Sequence, residues 1–420
     1  MSINPFELQP KNVEDTFLDF KELYPKSYDK DATDPYTKTR IILMNGTEFE
    51  AVWFSHQFSR HCNNNDIRRE LALMRRVEQQ QQKRISNLKP INETILETTI
   101  GYEQLAVDLT SILAKDENDP VVKKALDFAL LEDFDHLYRY ANLLEMEHHI
   151  YADKLVGKYT EIMPGRPTIA EARYPFDDIK YFIDNKTADL STKLHVNIIT
   201  AAEQQTMNYY MNVSCFYTSD IGRRLYQEIG LIEEQHVSQY GGLIDTNCTW
   251  LENLLMHEYT ECYLYYSCFE TECDPYIKKI WEQQFEQEVA HLHKAAELLK
   301  KYEGKEWQQV IPNAEFPKLL SLGSNIDYVR EILKSVRLTG KLEDYTPVSS
   351  LPDDDNYFKY QNSVIKSPED VPSHDIIERY IVKNGQDYRF EVEPHIIEAL
   401  QDRKVDNTTI ARTKKEDILT

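Results

Sequence analysis

The chain has 420 residues, 41% of them hydrophobic and 28% charged, with a formal net charge of −23 at pH 7. That balance suits a folded chain with a large core, while so negative a surface repels phosphate backbones and anionic lipid and argues against nucleic acid and membranes as partners. No apolar run approaches the ~20 residues needed to cross a bilayer, and the opening MSINPFELQPKNVED lacks the basic start and apolar core of a signal peptide, so a cytoplasmic protein is expected.

In chain order, residues 1–88 form an expected N-terminal extension. Within it Arg40 to Phe54 (RIILMNGTEFEAVWF) predicts a β-hairpin turning at Asn45-Gly46, and Asp66 to about Leu88 predicts a polar helix. His56 and His61 precede that helix and are assigned structural roles. Residues 89–302 are helical almost throughout, interrupted at Asp116–Pro120, Thr218–Asp220, Gly241–Asn247 and Thr271–Pro275. The irregular stretch from Met163 to Ala188, with Pro164, Pro167 and Pro175, is expected to cross between two helical hairpins. Residues 303–420 are expected to be an irregular C-terminal extension that wraps the bundle or mediates assembly, with short helices near Ser373–Val382 and Pro394–Arg403. A homo-oligomer is compatible with that extension. The six cysteines contain no CxxC pair and are expected to be free thiols.

An acid three residues before a histidine places both on one helix face, where they can share a metal ion. Four such pairs occur: Asp133/His136, Glu145/His148, Glu233/His236 and Glu288/His291. With 12 His and 71 acids in the chain, chance supplies roughly two. The upstream spacing is more telling. Thirty residues before Asp133, Glu233 and Glu288 stand Glu103, Glu203 and Glu258, and only Glu145 fails, with Lys115 at that offset. The midpoints of the three intervals are Asn118, Thr218 and Cys273, each inside a helix break. In a helical hairpin, residues equally far from the turn lie level. Each Glu therefore faces an acid-x-x-His about 22 Å from the bend, which is half of a dimetal site.

The acids also sit in apolar stripes. Leu96, Ile100 and Val107 share the face of Glu103; Leu126, Ala129, Leu130 and Leu137 that of Asp133; Tyr226, Ile229 and Val237 that of Glu233. A desolvated carboxylate costs several kcal/mol unless paired, and these stripes carry no Lys or Arg. Either divalent cations or a protonated carboxyl network must satisfy them, and cations fit four acids and two imidazoles together. Tyr140 and Tyr240 each follow a histidine by four residues, where they would act as donors beside the ligands or pack as ordinary core.

One Glu followed by an acid-x-x-His, repeated after a long crossover, resembles the ferritin-like superfamily of rubrerythrins and di-iron carboxylate proteins. The resemblance implies an all-α fold, a ferritin-like four-helix bundle with an additional helical hairpin and irregular extensions. It further implies metal ligation by Glu103, Asp133, His136, Glu203, Glu233 and His236, with Asp133 and Glu233 bridging. Asp133 stands where the family usually has Glu, and Glu132 is a further candidate ligand there. Glu258, Glu288 and His291 either replace the second half of the site or build another, a subunit interface being one place for it. The carboxylate-rich donor set suits two iron ions, with manganese also fitting and zinc fitting less well. The expected activity is a di-iron oxidoreductase consuming peroxide or O₂, in the manner of rubrerythrin or ferroxidase, with an electron donor that the sequence does not identify. Two alternatives stand beside it: an O₂-activating oxygenase or oxidase on an organic substrate, and a non-catalytic metal-storage or assembly protein.

Overall fold

In the computed structural model, which describes residues 3–163, 172–179, 182–334, 339–341, 346–347, 350–367 and 370–384, helices start where sequence chemistry asks for them. Asp34, Asp119 and Asp274 each cap a helix that opens with proline, the carboxylate accepting from the orphan N–H groups of the first turn while the proline occupies a position where no N–H is needed. The helices are α1 (Pro35–His61), α2 (Asn65–Ser86), α3 (Ile95–Asp116), α4 (Pro120–His148), α5 (Ala152–Leu155), α6 (Leu190–Phe216), α7 (Asp220–Gly241), α8 (Trp250–Thr271), α9 (Pro275–Glu303), α10 (Ile326–Lys334), α11 (Asn356–Val364) and α12 (Pro372–Asn384). The fold is all-α; among the described residues the strands are the short pair Thr339–Lys341 and Thr346–Pro347. No helix among them is long and apolar enough to cross a membrane. All six cysteines are free.

The chain divides into two units: residues 1–94, 182–205 and 244–322 form the first, and residues 95–181, 206–243 and 323–420 the second. This division departs from the boundaries expected near 88 and 302. In the first unit the hairpin α1–α2 packs on the hairpin α8–α9, α1 against α8 and α2 against α9. From residues 1–88, α1 and α2 thus pack as one hairpin against the hairpin α8–α9.

The β-hairpin expected at Arg40 to Phe54 does not form; those residues lie inside α1. Ile41, Met44, Ala51, Ser55 and Phe58 are buried at helical spacing, so a 3.6-residue period underlies the segment. Gly46 is buried inside that helix because Gln205 of α6 lies against it, and any β-carbon there would collide with the Gln205 side chain. The Asn-Gly pair thus marks a close approach, not a turn.

In the second unit α3 and α4 form one hairpin, and α7 packs against α4. The end of α6 returns onto α7 through Met211, whose Sδ is 3.1 Å from where a β-carbon on Gly230 would be. From the C-terminal segment, α12 packs against α4 and α7. In α12, which covers the helix foreseen near Ser373–Val382, Ser373 donates to Glu228, Asp375 pairs with Arg224, and Tyr380 donates to Glu145. The helix expected at Pro394–Arg403 lies outside the described residues. The breaks at Asp116–Pro120, Thr218–Asp220 and Thr271–Pro275 are the connections expected.

Candidate metal centres

Glu103 on α3, Asp133 and His136 on α4, and Glu233 and His236 on α7 are all at most 1% exposed in the second unit. Glu103, His136 and Glu233 present ligand atoms within 4.8 Å of one another, and so do Asp133, Glu233 and His236. Glu233 is the centre of the arrangement. One of its oxygens lies 2.9 Å from His136 Nδ1 and the other 3.1 Å from His236 Nδ1. Asp133 Oδ1 is 3.4 Å from His236 Nδ1, and its other oxygen accepts from Thr110 at 3.3 Å. The Tyr210 hydroxyl donates to one oxygen of Glu103, while the second, Oε2, is buried without a hydrogen-bond partner.

Each imidazole thus turns Nδ1 toward the carboxylates. His236 directs its other nitrogen, Nε2, to Glu132 at 2.7 Å, and the far oxygen of Glu132 accepts from Arg173 at 2.7 Å. This chain fixes the His236 tautomer and ring plane from behind, the role such partners play at metal-ligating histidines. Glu132, a candidate ligand from sequence, is held by Arg173. The buried stripes were expected to have no cationic partner; Arg173 supplies one from the crossover between α5 and α6, and its guanidinium also lies 4.6 Å from the Phe128 ring centre. Arg139 pairs with Asp135 one turn away.

Burial pushes the Glu103 carboxyl well up. Burial acts the same way on Glu233, but His136 and His236 outweigh it and hold that carboxyl below its usual range. On Glu132 the burial effect is outweighed by Arg173 and then His236. The donors could hold metal: acids and two imidazoles face one another, with a buried carboxylate oxygen that has no hydrogen-bond partner among the described residues.

Three buried phenols adjoin Glu103. Tyr140 lies 5.2 Å from Tyr210 and 4.9 Å from Tyr226 between ring centres, and Tyr226 shares a 2.7 Å hydrogen bond with Thr99. Burial pushes all three hydroxyls well above the usual phenol range, so they stay protonated. Tyr240 is also buried, its ring 6.4 Å from that of His236. Glu203 is buried on α6, in the part of that helix that belongs to the first unit. Glu145 and His148 stay outside; His148 is exposed at the end of α4.

In the first unit, Glu258 on α8 and Glu288 and His291 on α9 are likewise buried and adjacent. His291 Nδ1 lies 3.2 Å from Glu288 and 3.6 Å from Glu258. Glu48 and Glu78 join them from α1 and α2, and Gln81 Nε2 donates to Glu288. Glu48, Glu78 and Gln81 are not among the ligands expected from sequence. Their signal was present: Glu78 follows Glu48 by thirty residues, with the midpoint at the α1–α2 turn, but position 81 holds Gln where a histidine was sought.

No family model, curated protein or solved structure matches the chain.

Proposed function

We propose that the second unit holds a dinuclear metal centre, iron for preference, and that the protein is an oxidoreductase consuming peroxide or O₂. The observation that supports this reading best is Glu233, buried between the Nδ1 atoms of two histidines from different hairpins, with Glu103 and Asp133 beside it. When bound, such a pair would pass electrons to peroxide or O₂ and be re-reduced by a separate electron donor. Glu233 would offer an oxygen beside each histidine. His136 and His236 would each donate Nδ1, Glu132 and Arg173 holding His236 in register. Glu103 would serve as a terminal ligand steadied by Tyr210.

Glu203 remains a candidate ligand on its sequence spacing, thirty residues before Glu233. Tyr210 follows it by seven residues, two turns along the same face of α6, and Tyr210 donates to Glu103. The first unit repeats this relation: Tyr265 follows Glu258 by seven residues and donates to Glu48. In sequence spacing Glu203 therefore corresponds to Glu258.

The phenol cluster of Tyr140, Tyr210 and Tyr226 favours redox turnover over inert storage, because protonated tyrosines in ring contact can pass electrons and protons to the site. The test is the double variant His136→Ala/His236→Ala in the full chain. Loss of peroxide and O₂ consumption with retained helical content supports an enzyme. Undiminished consumption removes the proposal, and loss of folding alone reduces the site to a structural one.

A further inference from the structure

We infer that the first unit carries its own dinuclear cation site, with two unequal positions bridged by Glu258. Glu78, Glu258 and His291 bring ligand atoms within 4.8 Å of one another, and Glu258, Glu261 and Glu288 do the same. Glu258 belongs to both groups. One position therefore has a nitrogen donor, and the other has oxygen alone.

Hydrogen bonding within the protein does not satisfy these groups. Both oxygens of Glu258 and both of Glu261 are buried without a hydrogen-bond partner, as are Oε2 of Glu48, Oε2 of Glu78, the Gln81 side-chain carbonyl and His291 Nε2. These side chains are at most 2% exposed. Among the described residues, the ion pairs made by the five carboxylates come from His291 alone. Arg75, a turn before Glu78, donates instead to Ser55. Five acids and one imidazole, closed from water, with Arg75 acting on Glu78 but forming no ion pair with the acids among the described residues, match what a pair of divalent ions neutralises.

Compared with the second centre, the set has exchanged a nitrogen for an oxygen. Gln81 stands in the place of His136, three residues after the acid of the returning helix, and Glu261 stands in the place of Thr206, three residues after the outgoing glutamate. Amide and carboxylate oxygens suit hard ions such as Mn²⁺, whereas imidazole draws Zn²⁺ or Fe²⁺. The ligand class is thus a pair of divalent cations, with Mn²⁺ accepted in both positions and Zn²⁺ in the nitrogen-bearing one. This inference does not depend on the second unit being a redox enzyme.

The probe is Mn²⁺ added to the metal-stripped full chain, with retained metal counted after desalting. The wild-type chain is expected to keep about four ions, two per unit. Glu258→Gln/Glu261→Gln is expected to keep about two with helical content unchanged. Equal retention by this variant and the wild type overturns the inference. Should the variant fail to fold, His136→Ala/His236→Ala decides: about two ions retained supports the site, and none overturns it. If the wild type keeps about two and only the Glu258/Glu261 change removes them, this site stands while the second-unit reading falls. Zn²⁺ titrated into the His136→Ala/His236→Ala chain should displace one Mn²⁺ before the other; displacement of both together, or of neither, overturns the unequal positions.

Discussion

The two units place comparable hairpins around comparable buried acids, and they differ at the residues that would decide the chemistry. Glu48, Glu78 and Gln81 in the first unit correspond to Glu103, Asp133 and His136 in the second; Glu258, Glu288 and His291 correspond to Glu203, Glu233 and His236. A tyrosine steadies the first glutamate in both, Tyr265 on Glu48 and Tyr210 on Glu103. Around this shared frame the second unit has Tyr140 and Tyr240 four residues past each histidine, where the first has Ile85 and Ala295. Its His236 is also backed by Glu132 and Arg173, whereas His291 Nε2 is buried without a hydrogen-bond partner. Thirty-residue spacing makes the cradle. The residues beside it separate an oxygen-rich, phenol-poor site from one with two imidazoles and a ring of tyrosines.

The largest effect that would break this contrast is loss of the paired histidines. His136→Ala/His236→Ala should lower peroxide or O₂ consumption about 100-fold or more, measured against circular dichroism to confirm folding. The next tests the support behind His236. Arg173→Met should weaken metal binding in the second unit about 10- to 100-fold, read by competition with a chelator, because Glu132 would lose its cation. The contrast is sharpened by Gln81→His, which restores the missing nitrogen in the first unit. Zn²⁺ affinity there should rise about tenfold or more, with activity of the second unit unchanged. Tyr210→Phe should retain metal and folding while slowing turnover about tenfold, since Glu103 keeps its place but loses one donor.

The smallest effect is on stability. Asp178 sits against Arg173 and Glu132, and burial pushes its carboxyl up to about 8 although Arg173 opposes the shift. A carboxyl whose folded value lies above its unfolded one loses stability as pH rises between the two, here from about 4 to about 8. Asp178→Asn should therefore stabilise the chain by about 1–3 kcal/mol at pH 8 and by almost nothing near pH 4, followed by thermal melts across that range.

Much of the helical frame was legible because burial imposes a period on the sequence. The Asp-Pro starts of α4 and α9 and the three turns at interval midpoints lie where spacing placed them. In the second unit Glu103, Asp133, His136, Glu233 and His236 converge as their repeat suggested. Two features defeated the same reasoning. Asn45-Gly46 has the chemistry of a hairpin turn, but its glycine answers to Gln205, far away in sequence. The first hairpin was missed because Gln81 breaks the acid-x-x-His pattern while preserving the thirty-residue interval. Arg173 carried no signal, since it reaches Glu132 from an aperiodic crossover segment.

On this proposal the buried acids and imidazoles of the second unit hold redox-active metal. The most direct measurement is iron content and the optical spectrum under peroxide, made on the Glu258→Gln/Glu261→Gln chain purified from iron-replete cells, so that the second unit is read alone. About two iron ions per chain are expected, with a near-ultraviolet absorption that grows as peroxide oxidises them. Less than about one ion per chain, or a spectrum that peroxide leaves unchanged, would contradict it.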